Sequence, residues 1–150
     1  MNLALFDFDN TITDRDTWTP FLRFAVRPSR LAIGQAVLAP VVVGYRVGVV
    51  TASTARQMAA CVGFRGEPPS RLRGLGADYD LICSELEIVH GKLTGRYVYG
   101  DCVAAEKARR VQARYDLTRY DRVYAYGDSE DDREMLALAH ERYFGWRRID

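Results

Sequence analysis

The chain has 150 residues, 48% of them hydrophobic and 27% charged, an ordinary soluble composition that fits one domain with a substantial core. Twenty-one basic against twenty acidic side chains leave a net charge of +1, which excludes nucleic-acid binding driven by bulk charge. Three scattered cysteines, Cys61, Cys83 and Cys102, contain no CxxC pair; they argue against a disulfide framework or a zinc knuckle and for a reducing, cytoplasmic setting.

The first apolar run, residues 2–6, is closed abruptly by Asp-Phe-Asp-Asn. That pattern predicts a buried, parallel-type strand, and acidic residues so early do not suit a signal peptide. Residues 16–26 predict a helix that Arg27-Pro28-Ser29 stops. Residues 31–50 are almost wholly apolar, and Pro40 in their middle predicts a kink or two shorter helices. Residues 53–61 and 69–75 read as short helices, the first capped by Ser53 or Thr54. A strand over 79–83 precedes a hairpin over 85–98 that turns at His90-Gly91. A basic helix over 104–115 follows, then a strand over 122–126 ending in Gly127-Asp128-Ser129, a helix over 131–139, and a last strand near Tyr143-Phe144. Strands followed by helices, with acidic residues just past the strand ends, predict an α/β sheet whose site lies at its carboxyl edge.

Three groups along the chain share this placement. Asp7 and Asp9 flank Phe8 at the end of the first strand, and alternation in an extended segment sets both carboxylates on one side with Phe8 in the core. Asp128 and Asp132 bracket a helix start and, four residues apart, share one helical face. Lys107 comes early in the basic helix. Any one of these suits a turn or a cap; all three, each after an apolar strand, favour a site. Converging carboxylates need a cation, and a few hard oxygen ligands suit Mg²⁺ better than zinc. One carboxylate can then attack phosphorus while its neighbour exchanges a proton with the leaving oxygen, and Lys107 neutralises phosphoryl charge.

Leu5-Phe6-Asp7-Phe8-Asp9-Asn10-Thr11-Ile12-Thr13 and the stretch Tyr126-Gly127-Asp128-Ser129-Glu130-Asp131-Asp132 resemble the first and last motifs of the haloacid dehalogenase superfamily. The segments over 83–96 and 100–111 are similar to its phosphoserine-phosphatase-like branch. The resemblance implies a Rossmann-like parallel sheet with an inserted helical cap, the core over 1–15 and 77–150 and the cap over 16–76. It implies a phosphomonoester hydrolase in which Asp7 is the nucleophile that forms an aspartyl-phosphate and Asp9 the acid/base. It also implies Mg²⁺ held by Asp7, the Asp9 backbone carbonyl and Asp128. Asp132 and Ser129 would orient the metal's surroundings, and Thr11 and Lys107 would bind the phosphorylated substrate.

One part of the family pattern is missing. A Ser or Thr at the end of a further parallel strand, which binds a phosphoryl oxygen in that branch, has no room between the cap and residue 79, since a βαβ unit takes roughly 30 residues. One core strand is thus expected to be absent. Thr51, closing the run Val47-Gly48-Val49-Val50, and Ser84, after the strand over 79–83, are the two stand-ins. The loss would expose ladder groups on the neighbouring strand, to be covered by residues 79–83 or by a homodimer. Two competing readings follow: an inactive remnant that keeps its metal carboxylates, and a phospho-receiver module. The second carboxylate two residues after Asp7 argues against the receiver.

Residues 31–50 are long enough to cross a bilayer, but Gln35, Pro40 and Arg46 favour a cap. An apolar cap suits a phosphorylated substrate with an apolar part, or peripheral membrane contact. His90, His140 and the arginines at 109, 110 and 114 read as surface residues.

Overall fold

The computed structural model describes residues 1–69 and 80–150. Length alone suggests one domain, whereas the chain divides into two compact units, Met1–Thr17 with Cys102–Asp150, and Trp18–Asp101.

The first unit is built on a four-stranded sheet of β1 (Asn2–Phe6), β4 (Arg122–Gly127), β5 (Glu141–Phe144) and β6 (Arg147–Ile149), in that spatial order. β1 and β4 run parallel in the register Asn2↔Arg122 to Phe6↔Tyr126, β5 is parallel to β4, and β6 returns antiparallel through Gly145-Trp146. Both residues of that tight turn have positive φ, which a two-residue hairpin demands. Alternation sends Leu5, Val123 and Ala125 to a buried face, where they join Ala108 and Val111 of α4 (Ala105–Arg114) and Met135 and Leu136 of α5 (Arg133–Leu136). The opposite face carries Phe6, Tyr126 and Tyr143 as a stack with centroids 4.5 and 4.6 Å apart.

The second unit comprises α1 (Trp18–Ala25), α2 (Pro28–Arg46), α3 (Ala52–Phe64) and the hairpin β2 (Leu86–Val89)–β3 (Lys92–Tyr97). Ala25, Val26, Ala60, Phe64 and Leu93 form its core. Gly95 has φ +81°, and a Cβ there would lie 2.5 Å from Cys61 Cα, so the bare backbone lets the hairpin lie directly on α3. Gln57 fastens the two together, donating to Gly95 O at 2.6 Å and accepting from Tyr97 N at 3.1 Å.

Several elements depart from the sequence reading. α2 is one continuous helix with Pro40 inside it, and Pro28 opens its first turn, where a missing N–H costs nothing. α3 begins earlier than expected: Thr51, rather than Ser53 or Thr54, caps it by accepting from Thr54 N at 3.2 Å. Residues 80–83 form no strand; Tyr79 and nearly all of the helix expected over 69–75 lie outside the described residues. The helix expected over 131–139 is a 3-10 turn at Glu130–Asp132 followed by α5, because Asp132 turns its side chain back onto the backbone that precedes it. Residues 80–101, read with the sheet, cluster with Trp18–Phe64. β1 is the edge of its sheet, and the described residues place no strand on its outer side.

Candidate active site

β1 ends at Phe6, and its parallel register with β4 carries Asp7 level with Gly127-Asp128; Asp7 N donates to Tyr126 O at 2.9 Å. Beyond Asp7 the chain leaves the strand, and Phe8 O accepts from Ile12 N and Thr13 N at 3.0 and 3.1 Å. Phe8 therefore does not enter the core as strand alternation predicts; it is 51% exposed. The turn needs Asn10 at φ 54°, a conformation that asparagine tolerates better than most residues.

Lys107 sits in the first turns of α4. Its Nζ donates to Asp7 Oδ1 and to Asp132 Oδ1, each at 2.5 Å. Asp132 is wholly buried, and its other oxygen accepts from Asp128 N at 3.1 Å, Ser129 N at 3.0 Å and Ser129 Oγ at 2.8 Å. Both oxygens of Asp132 are therefore committed within the protein. A Cβ on Gly127 would fall 2.5 Å from Asp132 Cβ, so glycine at the end of β4 is what makes room for this buried carboxylate. Thr11, also buried, donates from Oγ1 to Asp128 Oδ1 at 3.3 Å. Asp9 faces elsewhere: Oδ1 accepts from Thr17 N at 3.0 Å and from Thr17 Oγ1 at 2.5 Å. Ala104, which precedes α4, holds φ 49° and ψ −130°, and its N donates to Asp131 O at 3.0 Å. A non-glycine residue in that region is strained, and here the strain lies in the junction that aims Lys107.

The charges of the trio follow from this packing. Burial pushes the Asp7 carboxyl up, Lys107 pulls it back through a hydrogen bond and its charge, and the net direction is upward. Burial also opposes the Asp132 carboxylate, but Lys107 and Ser129 outweigh it and hold the group below the ordinary range. Lys107 feels burial as a downward pull, which its bonds to Asp132 and Asp7 overcome, so it stays protonated. Its neighbour Glu106 is drawn to about 2 by Arg109 and Arg110, which keeps that carboxylate occupied on the helix surface.

Carboxylate oxygens of Asp7, Asp128 and Asp132 lie within 4.8 Å of one another. An all-oxygen anionic set of this spacing fits a hard divalent cation such as Mg²⁺. Asp132 accepts four hydrogen bonds where Asp7 accepts one from Lys107 and Asp128 one from Thr11, so Asp7 and Asp128 are the less committed carboxylates of the set. Asp7, Thr11, Lys107, Asp128, Ser129 and Asp132 are thus joined in one connected network, while Asp9 stands on Thr17. Thr51 and Ser84 belong to the other compact unit: Thr51 caps α3, and Ser84 Oγ donates to Asp101 Oδ1 at 2.7 Å beside the Arg56–Asp101 ion pair. Sequence reasoning missed Thr17 and the steric role of Gly127. The Gly-Asp pair at the strand end is the only signal for the second, and no pattern links Thr17 to Asp9.

A family model for haloacid dehalogenase-like hydrolases matches residues 42–137, well over half of the chain. The chain belongs to the haloacid dehalogenase-like hydrolases. The matched span contains Lys107, Asp128 and Asp132, and Asp7 joins them through the β1–β4 register. No curated protein matches this family member significantly. Among solved structures, a protein of unknown function from Bordetella pertussis Tohama I is similar over 99% of this chain and 98% of its own, with 18% identity and a TM-score of 0.75. A probable phosphoserine phosphatase from Vibrio cholerae is 18% identical with a TM-score of 0.66; 95% of this hydrolase covers 55% of that chain. A phosphoserine phosphatase in a phospho-aspartyl intermediate analogue form is 16% identical over 95% of this chain and 85% of its own, with a TM-score of 0.55. These likenesses show a shared fold.

Proposed function

We propose that the chain is a Mg²⁺-dependent phosphomonoester hydrolase that works through an aspartyl-phosphate on Asp7. The observation that carries this reading is the Lys107 bridge: one ammonium held between Asp7 and the buried Asp132. It fixes the Asp7 carboxylate at the carboxyl edge of the sheet and keeps a positive charge beside the place where phosphoryl oxygens would gather charge. The solved phospho-aspartyl analogue of a fold relative supports the same chemistry.

An Asp7 carboxylate oxygen attacks phosphorus and the bond to the substrate alcohol breaks, Asp9 giving its proton to the departing oxygen. Asp9 then takes a proton from water, which attacks the phosphorus of the acyl phosphate, releasing inorganic phosphate and restoring Asp7. Thr17 holds one oxygen of Asp9 and so orients the other for these transfers. Mg²⁺, held by Asp7, the Asp9 backbone carbonyl and Asp128, would offset the charge of the approaching phosphate dianion. Residues 16–76 are assigned the part of the cap, and the substrate is a small phosphorylated compound with an apolar part.

The edge position of β1 favours a second reading, a metal-binding remnant that does not turn over, because the strand that would supply the phosphoryl-binding Ser or Thr has no counterpart beside it among the described residues. Hydrolysis of p-nitrophenyl phosphate separates the two. Turnover that needs Mg²⁺ and falls at least about a thousandfold in Asp7→Asn establishes the hydrolase. A folded, cooperatively melting wild type without turnover on any phosphomonoester tested establishes the remnant.

A further inference from the structure

Residues 31–44 within α2 contain one polar side chain, Gln35. A helix that is apolar on all sides is ordinarily buried on all sides. α2 is not. Its inner face packs on α3, with Gly34 against Val62, while its outer face leaves Ile33 at 60% and Val43 at 59% exposure, with Ala32, Ala36, Ala39 and Pro40 exposed between them. Exposed apolar residues continue in the turn after the helix, where Val49 is 82% exposed. Nineteen residues make a helix about 28 Å long, and exposed apolar side chains recur along its outer face from Ala32 to Val43, the kind of surface that marks an interaction site.

The charge distribution says what covers it. From Thr17 to Gly66 the chain has no Asp or Glu and six arginines, at 23, 27, 30, 46, 56 and 65. The rest of the chain is left with fifteen basic and twenty acidic side chains. Arg27 and Arg30 face Glu67, and Arg56 faces Asp101, whereas Arg23, Arg46 and Arg65 are exposed. A near-neutral protein thus gathers a local excess of positive charge on the same segment that carries its exposed apolar helix. Two copies paired through α2 would bring together two segments that carry arginines and no acidic side chain. A nucleic acid would gain nothing from valine and isoleucine. An anionic lipid surface answers both features, because the headgroups take the arginines and the acyl boundary takes the apolar face.

We propose that the outer face of α2 is a docking surface for an anionic lipid bilayer, the helix lying in the plane of the interface. Among the described residues no helix is long and apolar enough to cross a membrane, and α2 keeps its inner face on α3, so the attachment is peripheral. It is independent of the chemistry assigned to Asp7.

Co-sedimentation of the full chain with vesicles tests this. The protein is expected to pellet with vesicles of equal parts phosphatidylcholine and phosphatidylglycerol and roughly tenfold less with phosphatidylcholine alone, the difference fading at high salt. The exposed pair Ala36→Asp with Val43→Asp should lower binding at least about tenfold. The triple change Arg23→Gln, Arg46→Gln and Arg65→Gln, on solvent-exposed side chains that leave the core intact, should bring anionic vesicles down to the phosphatidylcholine level. Wild type that stays in the supernatant with both vesicles overturns the proposal. So does binding that neither variant alters, or a dimer in sedimentation velocity that Val43→Asp dissociates while no vesicle binds.

Discussion

Replacing Gly127 with alanine is expected to damage the site without touching any group that reacts. The new Cβ would lie 2.5 Å from Asp132 Cβ, 2.8 Å from Cγ and 2.9 Å from Oδ2, against a comfortable carbon–carbon separation of about 3.5–4.0 Å. Relief requires a movement of about an ångström by β4 or by Asp132. Neither gives easily: β4 is paired on both sides, and Asp132 is tied by Asp128 N, Ser129 N, Ser129 Oγ and Lys107 Nζ. Overpacking of this kind costs about 1–3 kcal/mol, and loss of one hydrogen bond to a charged acceptor adds about 1.5–3 kcal/mol. For a chain of this length, about 3–5 kcal/mol corresponds to a fall in Tm of roughly 10 °C, read by circular dichroism. Phosphatase turnover should drop with it, since Asp128 and Lys107 move with Asp132. A Tm within about 2 °C of wild type, with turnover unchanged, would refute the claim that glycine is there to admit the buried carboxylate.

Further outcomes follow from the same contacts. Asp132→Ala leaves Lys107 to Asp7 alone and strips three donors of their acceptor, so urea denaturation should show a loss of about 3–5 kcal/mol; a loss below about 1 kcal/mol would place Asp132 outside the structural core of the site. Tyr97 is pushed up to about 12 by burial and by the Asp101 charge, against the pull of Arg56. The folded protein therefore keeps a proton that the unfolded chain releases near pH 10, and stability should fall as pH rises from about 10 towards 12. Tyr97→Phe should flatten the pH dependence of the urea midpoint over that alkaline range, and parallel slopes for the two proteins would contradict the assigned burial.

The parts of this molecule that were legible in the sequence are those governed by local pattern. β1 and β4 announce themselves as short apolar runs closed by acidic residues, and the hairpin turn announces itself at His90-Gly91, both of which hold positive φ. Asp7, Lys107, Asp128 and Asp132 could be named because each follows a strand end or opens a helix. Their connections could not be. That Lys107 bridges Asp132 to Asp7, a hundred residues from it in the chain, depends on the parallel β1–β4 register, which no local pattern states. Strand alternation misplaces Phe8 because β1 ends at Phe6 and Phe8 O already accepts turn hydrogen bonds. Residues 80–83 have the composition of a strand and form none, since composition does not say whether a segment pairs with a sheet edge. α2 survives Pro40 because one missing hydrogen bond is a small fraction of a nineteen-residue helix packed along α3.

The account stands or falls on Asp7 as the group that takes the phosphoryl. Its most direct test is acid quenching of the wild-type chain during turnover with Mg²⁺ and an aryl phosphate, followed by mass analysis of the peptides. A phosphoryl group on the peptide containing Asp7, discharged on prolonged incubation and absent from Asp7→Asn, is the predicted result. Sustained turnover by Asp7→Asn, or a phosphoryl group carried by any other residue, would contradict it.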